Sequence, residues 1–154
     1  MPSATPLERL ADLGLELPTR FAPIGAYVPV VREGGFAFTS GAGPVRPDGS
    51  VVTGKVGADL DLDQAVDAAR LTGLQLLANL DHELGGLDEV RRVVKVLGMV
   101  NVAPGFTQIP QVIDGCSELF VAVFGDAGRG ARSAVGMAEL PMGIAVEIEA
   151  VVAC

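Results

Sequence analysis

The chain has 154 residues, 49% of them apolar, 19% charged and 5% aromatic, which suits one domain able to bury roughly 68–70% of its unfolded surface. Eleven Lys and Arg against nineteen Asp and Glu leave a net charge of −8, with Lys55 and Lys95 the only lysines. An acidic surface of that kind repels phosphate backbones and anionic lipid, so neither a nucleic-acid nor a membrane partner is expected. The single histidine, His82, excludes HExxH and every other metal site that needs two.

Cys116 and Cys154 form no CxxC pair, and a reduced cytoplasmic protein is a simpler reading than a disulfide. The first residues lack the basic, apolar, small-residue layout of a signal peptide, and no run approaches 18 uninterrupted apolar positions. The apolar excess therefore predicts a well-filled core together with a buried subunit interface.

In chain order, Thr5-Pro6-Leu7-Glu8 is a capping box with Pro6 at the first helical position. Leu7, Leu10, Ala11 and Leu13 then predict a short amphipathic helix, closed by Gly14. Tyr27–Arg32 and Phe36–Ser40, joined by Glu33-Gly34-Gly35, predict a hairpin, and Pro47-Asp48-Gly49 a turn. Residues 63–80 carry Val66, Ala69, Leu74, Leu77 and Leu80 at helical spacings before Gly85-Gly86 ends the segment. Val90–Val102 is Val-rich and predicts a strand.

Pro110 opens a second long helix with Val112, Ile113, Cys116, Leu119, Phe120 and Val123 on its apolar side, stopping at Gly125. After a Gly- and Arg-containing loop come a strand near Arg132–Ala138 and a last strand over Ala145–Ala153. This order predicts an α+β fold, a single sheet with the two main helices on one face.

Most standard constellations fail. His82, between Asp81 and Glu83 at a helix end, reads as a solvated capping residue. Gly41-Ala42-Gly43 is followed by Pro44 with no helix start, so it is not a dinucleotide fingerprint. Gly128-Arg129-Gly130 lacks the Lys and Ser/Thr of a phosphate loop. Glu147 and Glu149 interrupt an apolar strand, and period 2 puts both on one face with Val146, Ile148 and Ala150 on the other. That face is either solvated, the reading the pattern favours, or a carboxylate base and water-holder. Arg132 is either a surface ion-pair partner or a bidentate clamp for a carboxylate. Tyr27 fits a buried strand aromatic or a cleft wall equally well, and Ser40 fits a turn or a site hydroxyl.

Arg132-Ser133-Ala134-Val135-Gly136-Met137-Ala138-Glu139-Leu140-Pro141, followed by Val146-Glu147-Ile148-Glu149-Ala150, closely resembles the C-terminal signature of the YjgF/RidA family, the reactive intermediate deaminases also named L-PSP endoribonucleases. Gly25-Ala26-Tyr27 and Thr39-Ser40-Gly41 match its N-terminal pattern, and Pro104-Gly105-Phe106-Thr107 points to a longer subgroup of about 150 residues. The resemblance implies a chorismate-mutase-like fold over residues 1–154, with 1–20 as an N-terminal helical extension, and a homotrimer with a cleft at each subunit interface.

It also implies hydrolysis of 2-imino or enamine acids to 2-keto acids and ammonia, without metal or organic cofactor. Arg132 would pair with the substrate carboxylate and Glu147 would position water, with Tyr27, Ser40, Gly41 and backbone beside the arginine lining the cleft. Asp114 stands where many deaminases carry Asn, and Ala134 where many carry Cys. These two departures point to an alternative, a non-catalytic or regulatory trimer that binds small carboxylates. An endoribonuclease ranks last, because the chain offers neither a basic nor an aromatic platform for RNA.

Overall fold

A computed structural model describes residues 4–154; residues 1–3 of the expected N-terminal extension lie outside the described part. The first helix, α1 (Pro6–Asp12), starts as its sequence predicts. The Glu8 N–H donates to Thr5 Oγ1 at 3.2 Å and the Thr5 N–H donates to Glu8 Oε2 at 2.7 Å, which satisfies two otherwise orphaned amides. Strands β1 (Val30–Glu33) and β2 (Phe36–Thr39) form the expected hairpin around Gly34 and Gly35, both at positive φ. The first strand begins at Val30 rather than at Tyr27. Pro29 has no N–H to give a ladder, and only its carbonyl is used, accepting from Ser40 N–H at 2.8 Å.

Helix α2 (Leu62–Leu84) begins with a second capping box, Asp61 with Gln64, and ends on Gly85 at φ 81. Strand β3 (Arg92–Asn101) leads through helix α3 (Ile109–Phe124) to β4 (Ala131–Met137), and β5 (Val146–Ala153) closes the chain. The sheet order is β1-β2-β5-β3-β4, antiparallel except for the β3–β4 pair, whose crossover is α3. Among the described residues no helix is long and apolar enough to cross a membrane.

The core lies between one sheet face and the two long helices. Val93, Val96 and Val100 of β3 and Val146, Ile148, Ala150 and Val152 of β5 meet Leu76, Leu77 and Leu80 of α2 and the whole predicted stripe of α3. Both cysteines are free; burial beside the core pushes the Cys116 thiol up to about 12, so it is chemically inert. Among the described residues no element covers the opposite sheet face. There Val31, Phe36, Phe38 and Val135 are exposed, alongside Leu97, Met99, Val151 and the two glutamates. The open face thus carries a set of apolar side chains that the core does not use.

Candidate functional site

After β2 the chain continues alongside β5. The Ala150 N–H donates to Thr39 Oγ1 at 2.9 Å, and Ala42 and Ile148 exchange two backbone hydrogen bonds at 2.9 and 3.1 Å. This sets Gly41 against Glu147. A Cβ at Gly41 would fall 2.2 Å from Glu147 Oε1, so the carboxylate lies over the glycine where any other residue would exclude it. Burial raises the Glu147 pKa above its ordinary value, and the neighbouring Glu149 charge raises it further. Gly41→Ala is expected to push the Glu147 carboxylate into solvent and bring its titration back toward 4.5, as followed by carbon NMR of the carboxyl. An unchanged, raised titration in that variant would refute the packing argument.

Tyr27, Ser40 and Gly41 line one cavity of about 480 Å³ with Phe21, Gln75 and Asn79. Tyr27 lies outside both strand and core, 53% exposed, so the buried-aromatic alternative does not hold, and it lines this cavity. Ser40 Oγ donates to the Val28 carbonyl at 2.7 Å, so its proton is engaged and its lone pairs are what it retains for accepting. Met142, in the left-handed region at φ 57 and 75% exposed, also lines this cavity. Such a backbone conformation is uncommon outside glycine and concentrates at functional sites.

Arg132 and Asp114 line a different cleft, of about 650 Å³, on the helix side of β4. Arg132 Nη1 donates to Asp114 Oδ1 at 2.7 Å and to Ser117 Oγ at 3.1 Å. Among the described residues its Nε and Nη2 make no hydrogen bond, and that edge is itself a two-pronged donor matched to a carboxylate. Ala134 lies beside Gly98 in the sheet and packs on the core.

One chain does not bring the two groups together. Arg132 pairs with Val96 on the helix face at an edge strand, whereas Glu147 pairs with Met99 on the open face, two strand spacings or about 10 Å across the sheet. His82 is exposed in the last turn of α2 and lines neither cavity. Lys55 serves structure: Nζ donates to Asn101 Oδ1 at 2.7 Å and to the Ala138 carbonyl, and pairs with Glu139 at 3.5 Å. Sequence reasoning missed Gln75, Asn79, Ser117 and Met142. The first two stand in a Leu/Ala run that reads as core, and no local signal marks the other two.

The model of the YjgF/chorismate mutase-like family, whose name also carries the word endoribonuclease, matches residues 7–147. Protein TCP17 of Trypanosoma cruzi is 43% identical over 144 residues, covering 93% of this chain and 90% of that protein. A crystal structure from Shewanella oneidensis, of a protein whose name carries the same word, aligns with TM-score 0.95 at 30% identity, covering 98% of this chain and 100% of that one. Escherichia coli TdcF, solved with bound serine, aligns with TM-score 0.63 at 26% identity, covering 88% and 93%.

Proposed function

The chain belongs to the YjgF/chorismate mutase-like family, and on that premise we propose that it is a hydrolytic deaminase of 2-imino and enamine acids, working as a homotrimer with each site built from two chains. The observation that carries the reading is Glu147, a carboxylate of raised pKa held over Gly41 beside the Tyr27 and Ser40 cavity. A base so tuned operates closer to neutral pH than an ordinary carboxylate. The free Nε–Nη2 edge of Arg132 supports the matching role of holding a substrate carboxylate. The open sheet face with Phe36, Phe38 and Val135 supports association, and TdcF with its serine supports a small amino-acid-like ligand.

The chemistry then runs in two steps. Arg132 fixes the carboxylate so that C2 of the C=N group faces a water held by Glu147. Glu147 accepts a proton as the water oxygen bonds to C2 and the C=N π pair moves to nitrogen. The carboxyl returns that proton to nitrogen, giving a carbinolamine; Glu147 then takes the remaining hydroxyl proton and passes it to the amine, so that C=O forms as the C–N bond breaks and ammonia leaves. Such imines hydrolyse unaided, so modest acceleration is enough. No step calls for a metal or an organic cofactor.

The test is ammonia and 2-keto acid release from enzymatically generated 2-iminobutanoate or 2-aminoacrylate, with light scattering for the mass of the assembly. Arg132→Ala is expected to reduce the acceleration at least about 100-fold with the trimer intact, since a buried charge-assisted pair to the substrate is lost. Unfolding or dissociation of that variant would mark Arg132 as structural. A second reading, a trimer that binds small carboxylates without turning them over, is favoured by the Asp114 carboxylate already seated on Arg132 at 2.7 Å. Binding without turnover by folded wild type would select it. Net charge −8 argues against the RNA cleavage in the family's name.

A further inference from the structure

Four polar residues are buried in the described chain, and three of them are accounted for. Thr39 accepts from the Ala150 N–H, Thr72 donates to the Ala68 carbonyl at 2.9 Å, and Asn101 bridges Lys55 and the Ile144 carbonyl. Gln75 is the exception. It is 5% exposed, and its amide Nε2 is sealed from solvent with no hydrogen-bond partner among the described residues. A sealed donor without an acceptor is a standing cost to the fold, and such groups call for an explanation where they occur.

Its position supplies one. Gln75 lines the cavity that holds Tyr27, Ser40 and Gly41, and it also lines a second cavity of about 460 Å³ beneath the segment 14–19. Phe21 and Val45 share that double placement, so the three residues form the partition between the two spaces. Asn79 lies one helical turn further along α2 and lines the first cavity as well. Two amides thus stand, with the Tyr27 and Ser40 hydroxyls, in a wall that is otherwise apolar side chains and glycine, with no charged side chain among the lining residues. A charged ligand group would be desolvated there without a counter-ion, and a purely apolar one would leave the Gln75 donor unpaired. A neutral carbonyl that meets Nε2 as the Gln75 side chain turns into the cavity answers both conditions, and an attached NH2 group would give the carboxamide oxygens of Gln75 or Asn79 their own donor.

We propose that Gln75, with Asn79, makes this cavity selective for substrates whose side chain ends in an uncharged carboxamide. The inference rests on the deaminase reading for the location of the reacting group and adds what the far end of the substrate must be. Buried polar groups discriminate strongly against analogues that leave them unpaired, far more than apolar pockets discriminate by size.

The experiment compares imines generated by an amino-acid oxidase from asparagine and from leucine, side chains of matching size and shape, on the wild-type protein and on Gln75→Met. The expected result is a wild-type kcat/KM at least about tenfold higher for the asparagine-derived imine, with the preference lost or reversed in Gln75→Met. Equal turnover of the two imines by wild type, or a ratio that Gln75→Met leaves unchanged, overturns the inference and leaves the deaminase reading standing. If wild type accelerates 2-iminobutanoate but neither of these imines, the inference is overturned; if it accelerates none of the three, the deaminase reading falls, and nitrogen NMR of the Gln75 side-chain amide decides the inference separately. A shift of that resonance on titration with asparagine but not leucine supports it, and no shift with either overturns it. This measurement on the wild-type protein also decides the matter if Gln75→Met fails to fold.

Discussion

Glu147→Gln is expected to cut the catalysed rate of imine hydrolysis by about 10²–10⁴-fold, the usual worth of a positioned general base, while the assembly persists. The amide keeps the shape and can still accept a hydrogen bond from water, but it cannot take the proton. The same group fixes the acid limb of the pH profile. Because burial first, and Glu149 second, hold the Glu147 pKa above 4.5, the wild-type rate should begin to fall at a pH above that of an ordinary carboxylate.

Stability moves the other way. The native state binds this proton more tightly than the unfolded state does. The group therefore costs nothing below the unfolded pKa, and its cost grows as pH rises from 4.5 through the raised native value. At neutral pH the full cost is present, so Glu147→Gln should melt at or above the wild-type temperature while losing turnover. Loss of turnover together with a lower melting temperature would point to a structural glutamate. Turnover within threefold of wild type would remove it from the mechanism.

Gly115→Ala carries the largest expected effect on the fold. A Cβ at Gly115 of α3 would lie 2.1 Å from the Val66 carbonyl oxygen of α2 and 3.0 Å from its carbonyl carbon. Those are backbone atoms, so no side-chain rotation relieves the clash and the two helices must part. From the other side, a Cβ at Gly73 of α2 would meet Leu119 and Cys116 at 3.0 and 3.1 Å, so small residues on both helices set their separation. Forcing a methyl into such a crossing costs about 3 kcal/mol, the upper end for overpacking. For a chain of this length that corresponds to a melting temperature about 6–12 °C lower by circular dichroism. A shift under about 2 °C would mean that the crossing yields more readily than the geometry indicates. Asp114 precedes Gly115 and Ser117 follows it, so the displaced helix would also carry away both partners of Arg132.

Local chemistry made much of this fold legible. The Thr5–Glu8 box, the six apolar positions of α3 and the alternation of β5 each state their structure within a few residues. What local patterns leave open is long-range. No residue of β5 declares that it will insert between β2 and β3, and the open face becomes visible only once that order is known. The Asp61–Gln64 box is equally readable, but the apolar spacing after it places the predicted helix start one residue late, at 63 rather than Leu62.

The site divided along the same line. Arg132 and Glu147 stand out by type and strand phase, and family resemblance gave them roles. Gln75 is hidden because one amide in a Leu and Ala helix is indistinguishable from a surface residue until its burial is known. The pairing of Asp114 with Arg132 depends on a helix crossing that spacing alone does not specify.

The separation of Arg132 and Glu147 onto opposite faces of one sheet has a genetic consequence in the proposed trimer. A folded chain on its own is inert, and activity is a property of the encounter between chains. Each site draws its arginine from one copy and its glutamate from the next, so damage to either half is not inherited by the whole assembly. Two alleles, one lacking the arginine and one the glutamate, each encode a dead homotrimer. Expressed together in equal amounts and assembled at random, they regain about a quarter of the intact sites, because each interface pairs two independently drawn chains.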